Sequence, residues 1–141
     1  MNRLETQSQT VFFCEKMRLA VAAAVLDVIS GCGGVQLTGE ERLCHDKIVA
    51  MRNVVADFWR YTNKYPAGSE MSDKMSSLWG EDVFKTAGEV ATYCHEPAGK
   101  NPKLLRVVKE GVEGVDKVRI AFDAAGARLD LRRRAAAAEG N

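Results

Sequence analysis

The sequence predicts an all-α protein, and three observations lead to this fold class. Apolar residues recur at intervals of three and four along most of the chain, the spacing that lines one face of an α-helix. Strand-like alternation of apolar and polar residues never continues beyond four positions. Capping residues, glycines and prolines separate the periodic segments, as helix start and stop signals do. We therefore expect an all-helical bundle of five or six segments.

The first two predicted helices cover residues 9–30 and 39–63. In the first, apolar residues at helical spacing are followed by a glycine-rich stop at 31–34. The second begins at Thr38 and Glu41, whose spacing is that of a capping box. Its predicted core stripe consists of Ile48, Met51, Val55 and Phe58, with Trp59 beside it.

Three further helical segments are predicted after the turn that contains Pro66 and Gly68. A short helix over residues 71–79 ends at Gly80, and the next runs from Glu81 to about His95, before the loop that contains Pro97 and Gly99. The last segment begins at Asn101 and Pro102, a cap followed by a first-turn proline. Its apolar stripe comprises Leu104, Val108, Val112, Val115, Val118 and Phe122.

Two features of this last segment affect its shape. Gly111 and Gly114 interrupt the stripe, and we expect one of them to mark either a close helix crossing or a break. The end of the chain, residues 132–141, is basic and alanine-rich, and we expect this tail to be solvated.

Size and charge limit the classes of function. The chain has 141 residues, of which 46% are apolar and 28% charged, so we expect a single domain over residues 1–141. Its net charge is +1, and we expect no nucleic-acid partner. We also expect neither a secretory signal nor a transmembrane anchor, because no apolar stretch approaches the roughly 20 residues that span a bilayer.

The cysteines offer the first candidate chemistry. Four cysteines without CxxC spacing are interpreted as reduced, mostly buried thiols. Cys44–His45 and Cys94–His95 repeat one dipeptide, but adjacent side chains on a helix project about 100° apart and do not readily bind one ion. A reactive thiol would need a helix N-terminus or a fixed cation beside it. We therefore predict no metal, no cofactor and no catalysis.

The middle of the chain is rich in large apolar residues, including two Trp and three Met between residues 51 and 79. Core packing accounts for most of them. Such residues on short segments also suit an adaptable groove that accepts an amphipathic helix. The residues alone leave two alternatives, a core or a core with a groove.

Residues 48–59 carry a family resemblance. In this stretch Val55, Ala56, Asp57 and Trp59 resemble the homology 3 segment of the Bcl-2 family of apoptosis regulators, especially the short, anchorless members made by large DNA viruses. The segment has Arg52 where the family has its key leucine. The whole resemblance covers about residues 43–96.

Two further stretches extend this resemblance. Residues 78–83 are similar to the start of the family's homology 1 region, an apolar pair followed by an acidic turn. In residues 86–89, Gly88 matches the family's glycine while Glu89 replaces the partner-binding arginine. The resemblance implies that Lys85 would pair with an acidic residue of a ligand.

The resemblance implies a Bcl-2-like bundle of five to seven helices with a surface groove, and an anti-apoptotic function. The groove would sequester the homology 3 helix of pro-apoptotic host proteins, in the host cytoplasm and at the mitochondrial surface. The alternative is a self-associating helical bundle, a homodimer with a structural or adaptor role and no peptide ligand. The predicted groove comprises Met51, Val55, Phe58, Trp59, Met75, Leu78, Trp79, Phe84, Lys85, Gly88 and Glu89.

Overall fold

Three long helices account for most of residues 37–140, the part of the chain that the computed structural model describes. They are α1, Gly39–Thr62; α2, Glu70–Lys100; and α3, Pro102–Glu139. Helix makes up 89% of the described residues, and no strand occurs among them. The predicted all-α class is confirmed. The predicted helix over residues 9–30 lies outside the described residues.

The chain divides into two compact units, each with its own buried residues. Among the described residues, the first unit comprises residues 37–50 and 89–110, and the second comprises residues 51–88 and 111–140. Buried apolar residues of the first unit are Cys44, Ile48, Val90, Cys94, Ala98, Leu104 and Val107. Those of the second are Met51, Phe58, Val83, Val115, Val118 and Ala125.

Helix α1 begins with the predicted capping box. The Thr38 backbone amide donates to Glu41 Oε1 at 2.9 Å, and the Glu41 amide donates to Thr38 Oγ1 at 3.1 Å. Both bonds satisfy amides that lack an intrahelical partner. The bond from the Thr38 amide is the main cause that lowers the pKa of the Glu41 carboxyl. The predicted capping box at the start of α1 is therefore confirmed.

Helix α2 is continuous where the sequence predicts two helices, so the expected stop at Gly80 is wrong. Gly80 is buried, and a Cβ at this position would overlap the ring of Phe122 on α3. The glycine therefore permits a close helix approach and does not end the helix. Pro97 also lies within α2, although the sequence predicts a loop there. The proline is buried in the first unit, and its burial offsets part of the lost backbone hydrogen bond.

Helix α3 begins as predicted and continues without a break. Asn101 Oδ1 accepts hydrogen bonds from the amides of Lys103 and Leu104, at 3.1 and 3.2 Å. Of the two glycines, Gly111 marks a close approach, since a Cβ there would meet Met51 Cε. Gly114 has open space around it.

The described cysteines correct the prediction of reduced thiols. Cys44 of α1 and Cys94 of α2 form a disulfide, with their Cα atoms 4.8 Å apart. Spacing along the sequence gave no sign of this pair, because the bond joins residues 50 positions apart. Within residues 37–140, no helix is both long enough and apolar enough to cross a membrane.

Candidate functional site

The predicted groove residues do not all reach the surface. Met51 and Phe58 are 1% and 0% exposed and belong to the core of the second unit. Their side chains are therefore unavailable to a ligand in this structure. Half-buried members of the predicted set are Val55, Trp59, Met75, Trp79, Phe84 and Glu89, and exposed members are Leu78, Lys85 and Gly88.

Two of the half-buried aromatic residues pack against other side chains of the second unit. Trp79 stacks on Tyr61 of α1, with ring centroids 4.8 Å apart and planes inclined by 5°. Phe84 meets Phe122 edge to face at 5.0 Å, and the Arg119 guanidinium lies 3.9 Å from the Phe84 centroid. These rings therefore stabilise contacts between helices.

One exposed apolar surface of the second unit lies on α2, and we call it the α2 strip. It consists of Met71, which is 44% exposed, Met75, which is half-buried, and Leu78, which is 60% exposed. Their spacing of four and three places them on one face of the helix. The residues of α2 that are buried in this unit, such as Ser72 and Ser76, lie on a different face. Sequence analysis identified Met75 and Leu78 as contact residues but omitted Met71.

Lys85 continues the same face of α2, seven residues after Leu78. Its side chain is exposed, and no ion pair joins it to any residue within 37–140. The expected position of a ligand-pairing cation therefore coincides with one end of the α2 strip.

Glu89 belongs to the first unit and has a different role. Its Oε1 lies 3.3 Å from Lys47 Nζ. The same ammonium lies 4.9 Å from the centroid of the Tyr93 ring. Glu89 therefore neutralises a cation of its own unit.

The principal polar cluster of the second unit was missed by sequence reasoning. The Asp73 side chain is 1% exposed and accepts hydrogen bonds from Arg128 Nε and from a terminal nitrogen of that guanidinium, at 2.8 to 3.2 Å. Arg132 donates to Asp73 Oδ2 at 2.7 Å and to the Gly68 carbonyl at 2.6 Å. The Arg128 hydrogen bonds are the main cause that lowers the pKa of the Asp73 carboxyl. Charge pairing of this kind holds the start of α2 against α3.

The same cluster corrects the prediction that the basic tail is solvated. Arg132 is half-buried by its contacts with Asp73 and Gly68. Arg133 and Arg134 are 77% and 73% exposed and pair with Asp130 on their own helix. The spacing of Arg128 and Arg132 by four residues was the available signal, because it places both on one face of α3.

A second polar set lies beside this cluster. Ser72 Oγ donates to the Thr62 carbonyl at 2.9 Å, which satisfies an acceptor at the end of α1. The hydroxyls of Thr62 and Ser76 lie 3.2 Å apart. All three residues are buried, and these bonds offset the cost of removing their polar groups from water.

The repeated Cys–His dipeptides do not form one centre. Both cysteines are in the disulfide. His45 is 6% exposed with its Nδ1 3.5 Å from Asp46 Oδ1, whereas His95 is exposed. Among the residues that the structure describes, no three His, Cys, Asp or Glu side chains are grouped to hold a metal ion.

The candidate contact surface is therefore the α2 strip with Lys85 at one end. No protein-family model, no curated protein sequence and no solved structure matches the chain.

Proposed function

We propose that this protein is a binding module and that the α2 strip captures an amphipathic helix of another protein. The observation that carries the proposal is the exposure of Met71 and Leu78 on a face of α2 that the second unit leaves open. Exposed apolar groups on one face gain free energy when a partner covers them. Three side chains at helical spacing match the apolar stripe of a partner helix.

The family resemblance suggests the class of partner. A homology 3 helix of a pro-apoptotic protein presents apolar residues at helical spacing and one acidic residue. The α2 strip would cover the apolar residues, and Lys85 would pair with the acidic one. The Bcl-2-like bundle of five to seven helices, its groove and its anti-apoptotic role remain part of this proposal. The buried Met51 and Phe58 are excluded from the contact surface.

The location of the protein is a separate part of the proposal. The resemblance implies the host cytoplasm, where thiols are kept reduced. The Cys44–Cys94 disulfide is typical of an oxidising compartment. The cytoplasmic location therefore stays a prediction. The partner helix is identified by the peptide titration described next.

The test is a calorimetric titration of the full chain with a panel of homology 3 helical peptides. We expect at least one peptide to bind with a Kd below about 1 μM, equivalent to roughly 8 kcal/mol. Leu78→Asp should weaken the binding of that peptide about tenfold or more. Leu78 is a contact residue with 60% of its surface exposed, and the substitution places an unpaired charge at the interface. Lack of binding to every peptide would refute homology 3 recognition.

The matched control is Ile120→Asp. Ile120 lies on α3 of the same unit and is 72% exposed, so it tests an apolar-to-acidic change of similar exposure on a different helix from the α2 strip. We expect its peptide affinity to equal that of the unaltered protein. Equal losses in both variants would remove the α2 strip from the binding surface.

Self-association is the second candidate function. Besides the α2 strip, Ile120 and Leu131 of the second unit are 72% and 63% exposed, and apolar surface of this kind also suits contact between two copies. Sedimentation velocity over a range of concentrations tests this candidate. The self-associating bundle would be favoured if the protein forms a dimer that Leu78→Asp dissociates and if no peptide of the panel binds.

A further inference from the structure

A cleft of about 410 Å³ lies in the first unit, between the beginning of α1 and the end of α2. Its volume is within the range of sites for small organic ligands. It is separate from the α2 strip and lies in a different unit. The lining residues are Glu40, Leu43, Thr92, Tyr93, His95, Glu96 and Pro97.

The lining combines apolar surface with negative charge. Leu43 and Tyr93 are each 43% exposed, so both offer apolar surface to a ligand. Glu40 and Glu96 are exposed, and neither carboxylate has a hydrogen bond or an ion pair with any of residues 37–140. A cation placed in the cleft would meet two carboxylates whose charge is not already compensated.

Tyr93 adds an aromatic ring to the lining, and a ring of this kind attracts cations. Its ring already attracts an ammonium, since Lys47 Nζ lies 4.9 Å from the ring centroid. Lys47 is itself paired with Glu89, so its charge is largely compensated. The Tyr93 ring therefore serves as a cation acceptor in this unit.

The disulfide fixes the walls of this cleft. Cys44 directly follows Leu43, and Cys94 lies between Tyr93 and His95. The covalent bond therefore joins the two helical turns that carry the lining. A site held in its binding geometry loses less conformational entropy when it takes a ligand.

We propose that this cleft binds an organic cation, an ammonium or guanidinium group on an apolar stem, and that the Cys44–Cys94 disulfide keeps the cleft ready for it. The stem packs on Leu43 and Tyr93, and the charge lies near Glu40 and Glu96. Two sources carry this chemistry, a free amine and a Lys or Arg side chain of a peptide. The proposal does not depend on helix binding at the α2 strip.

The test is a titration followed by amide NMR on the full, oxidised chain. The probes are benzylamine, its neutral analogue benzyl alcohol, and a short capped peptide with Lys beside Leu. We expect the cationic probes to shift amides in residues 40–47 and 89–97, and to bind about tenfold more tightly than benzyl alcohol. Binding by the peptide but not the amine would assign the site to a protein ligand.

Variants separate charge at the cleft from charge elsewhere. The double variant Glu40→Gln, Glu96→Gln should bind benzylamine about tenfold more weakly than the unaltered protein. Glu81→Gln with Glu113→Gln removes the same charge at exposed positions outside the lining and should leave affinity unchanged. Reduction of the disulfide should lower affinity while circular dichroism shows retained helix.

Three results would overturn the proposal. They are benzyl alcohol binding as tightly as benzylamine, equal effects of the two pairs of variants, or no cation-induced shift in the residues that line the cleft. Unchanged affinity after reduction would overturn the role of the disulfide.

Discussion

Reduction of the Cys44–Cys94 disulfide should destabilise the protein by about 4 kcal/mol. The bond closes a loop between residues 50 positions apart. In the chain-entropy model, closing a loop of this length lowers the conformational entropy of the unfolded chain by roughly 14 cal/mol/K, which raises its free energy by about 4 kcal/mol at 25 °C. Both sulfur atoms are buried, so reduction leaves two thiols in the core without creating a cavity.

The assay is urea unfolding followed by circular dichroism, on a Cys14→Ser, Cys32→Ser background so that only the Cys44–Cys94 pair responds to reductant. We expect the midpoint to fall by roughly 2 M, given an ordinary urea dependence of about 2 kcal/mol/M. After reduction, the backbone amides of residues 40–50 and 89–100 should be the first to lose protection from hydrogen exchange, because the bond lies in the first unit.

Two results would refute this reasoning. Equal midpoints with and without reductant would show that the bond does not stabilise the fold. Two titratable thiols in this variant, denatured but not reduced, would show that the bond between Cys44 and Cys94 does not form.

Three other changes test the packing. Gly80→Ala should destabilise the protein by about 1–3 kcal/mol, because the added Cβ meets the Phe122 ring. Gly126→Ala is the control, since Gly126 is also helical but has open space around it, and it should stabilise the protein by up to about 1 kcal/mol. Equal effects of the two substitutions in thermal unfolding would contradict the close approach at Gly80. Asp73→Asn should cost about 2–3 kcal/mol at neutral pH. Because the folded-state pKa of Asp73 is lowered, the stability that its carboxylate contributes is present above its ordinary pKa of 3.8 and is lost as the pH falls through the lowered value. The difference from the unaltered protein should therefore shrink in acid, and a constant difference down to pH 2 would contradict this role.

Local signals in the sequence predicted two helix starts correctly. Thr38 with Glu41, and Asn101 with Pro102, identify helix starts because each pair satisfies backbone amides within a few residues. Gly80 was misinterpreted for the opposite reason. Whether a glycine stops a helix or admits a neighbour depends on Phe122, 42 positions further along the chain.

The candidate site shows a similar limit. Helical periodicity groups residues that share a face, but it does not say which face the rest of the fold covers. Met51 and Phe58 share such a face and are buried, while Leu78 is exposed. The partners of Asp73, at positions 128 and 132, and the pairing of Cys44 with Cys94 are long-range contacts that no local pattern encodes.

The most direct test of the central claim is a map of methyl and amide NMR shifts on addition of the tightest homology 3 peptide. We predict that the largest shifts fall on Met71, Met75 and Leu78, with a smaller shift at Lys85. Shifts centred on another surface, or none with any helical peptide, would contradict the claim that the α2 strip binds a partner helix.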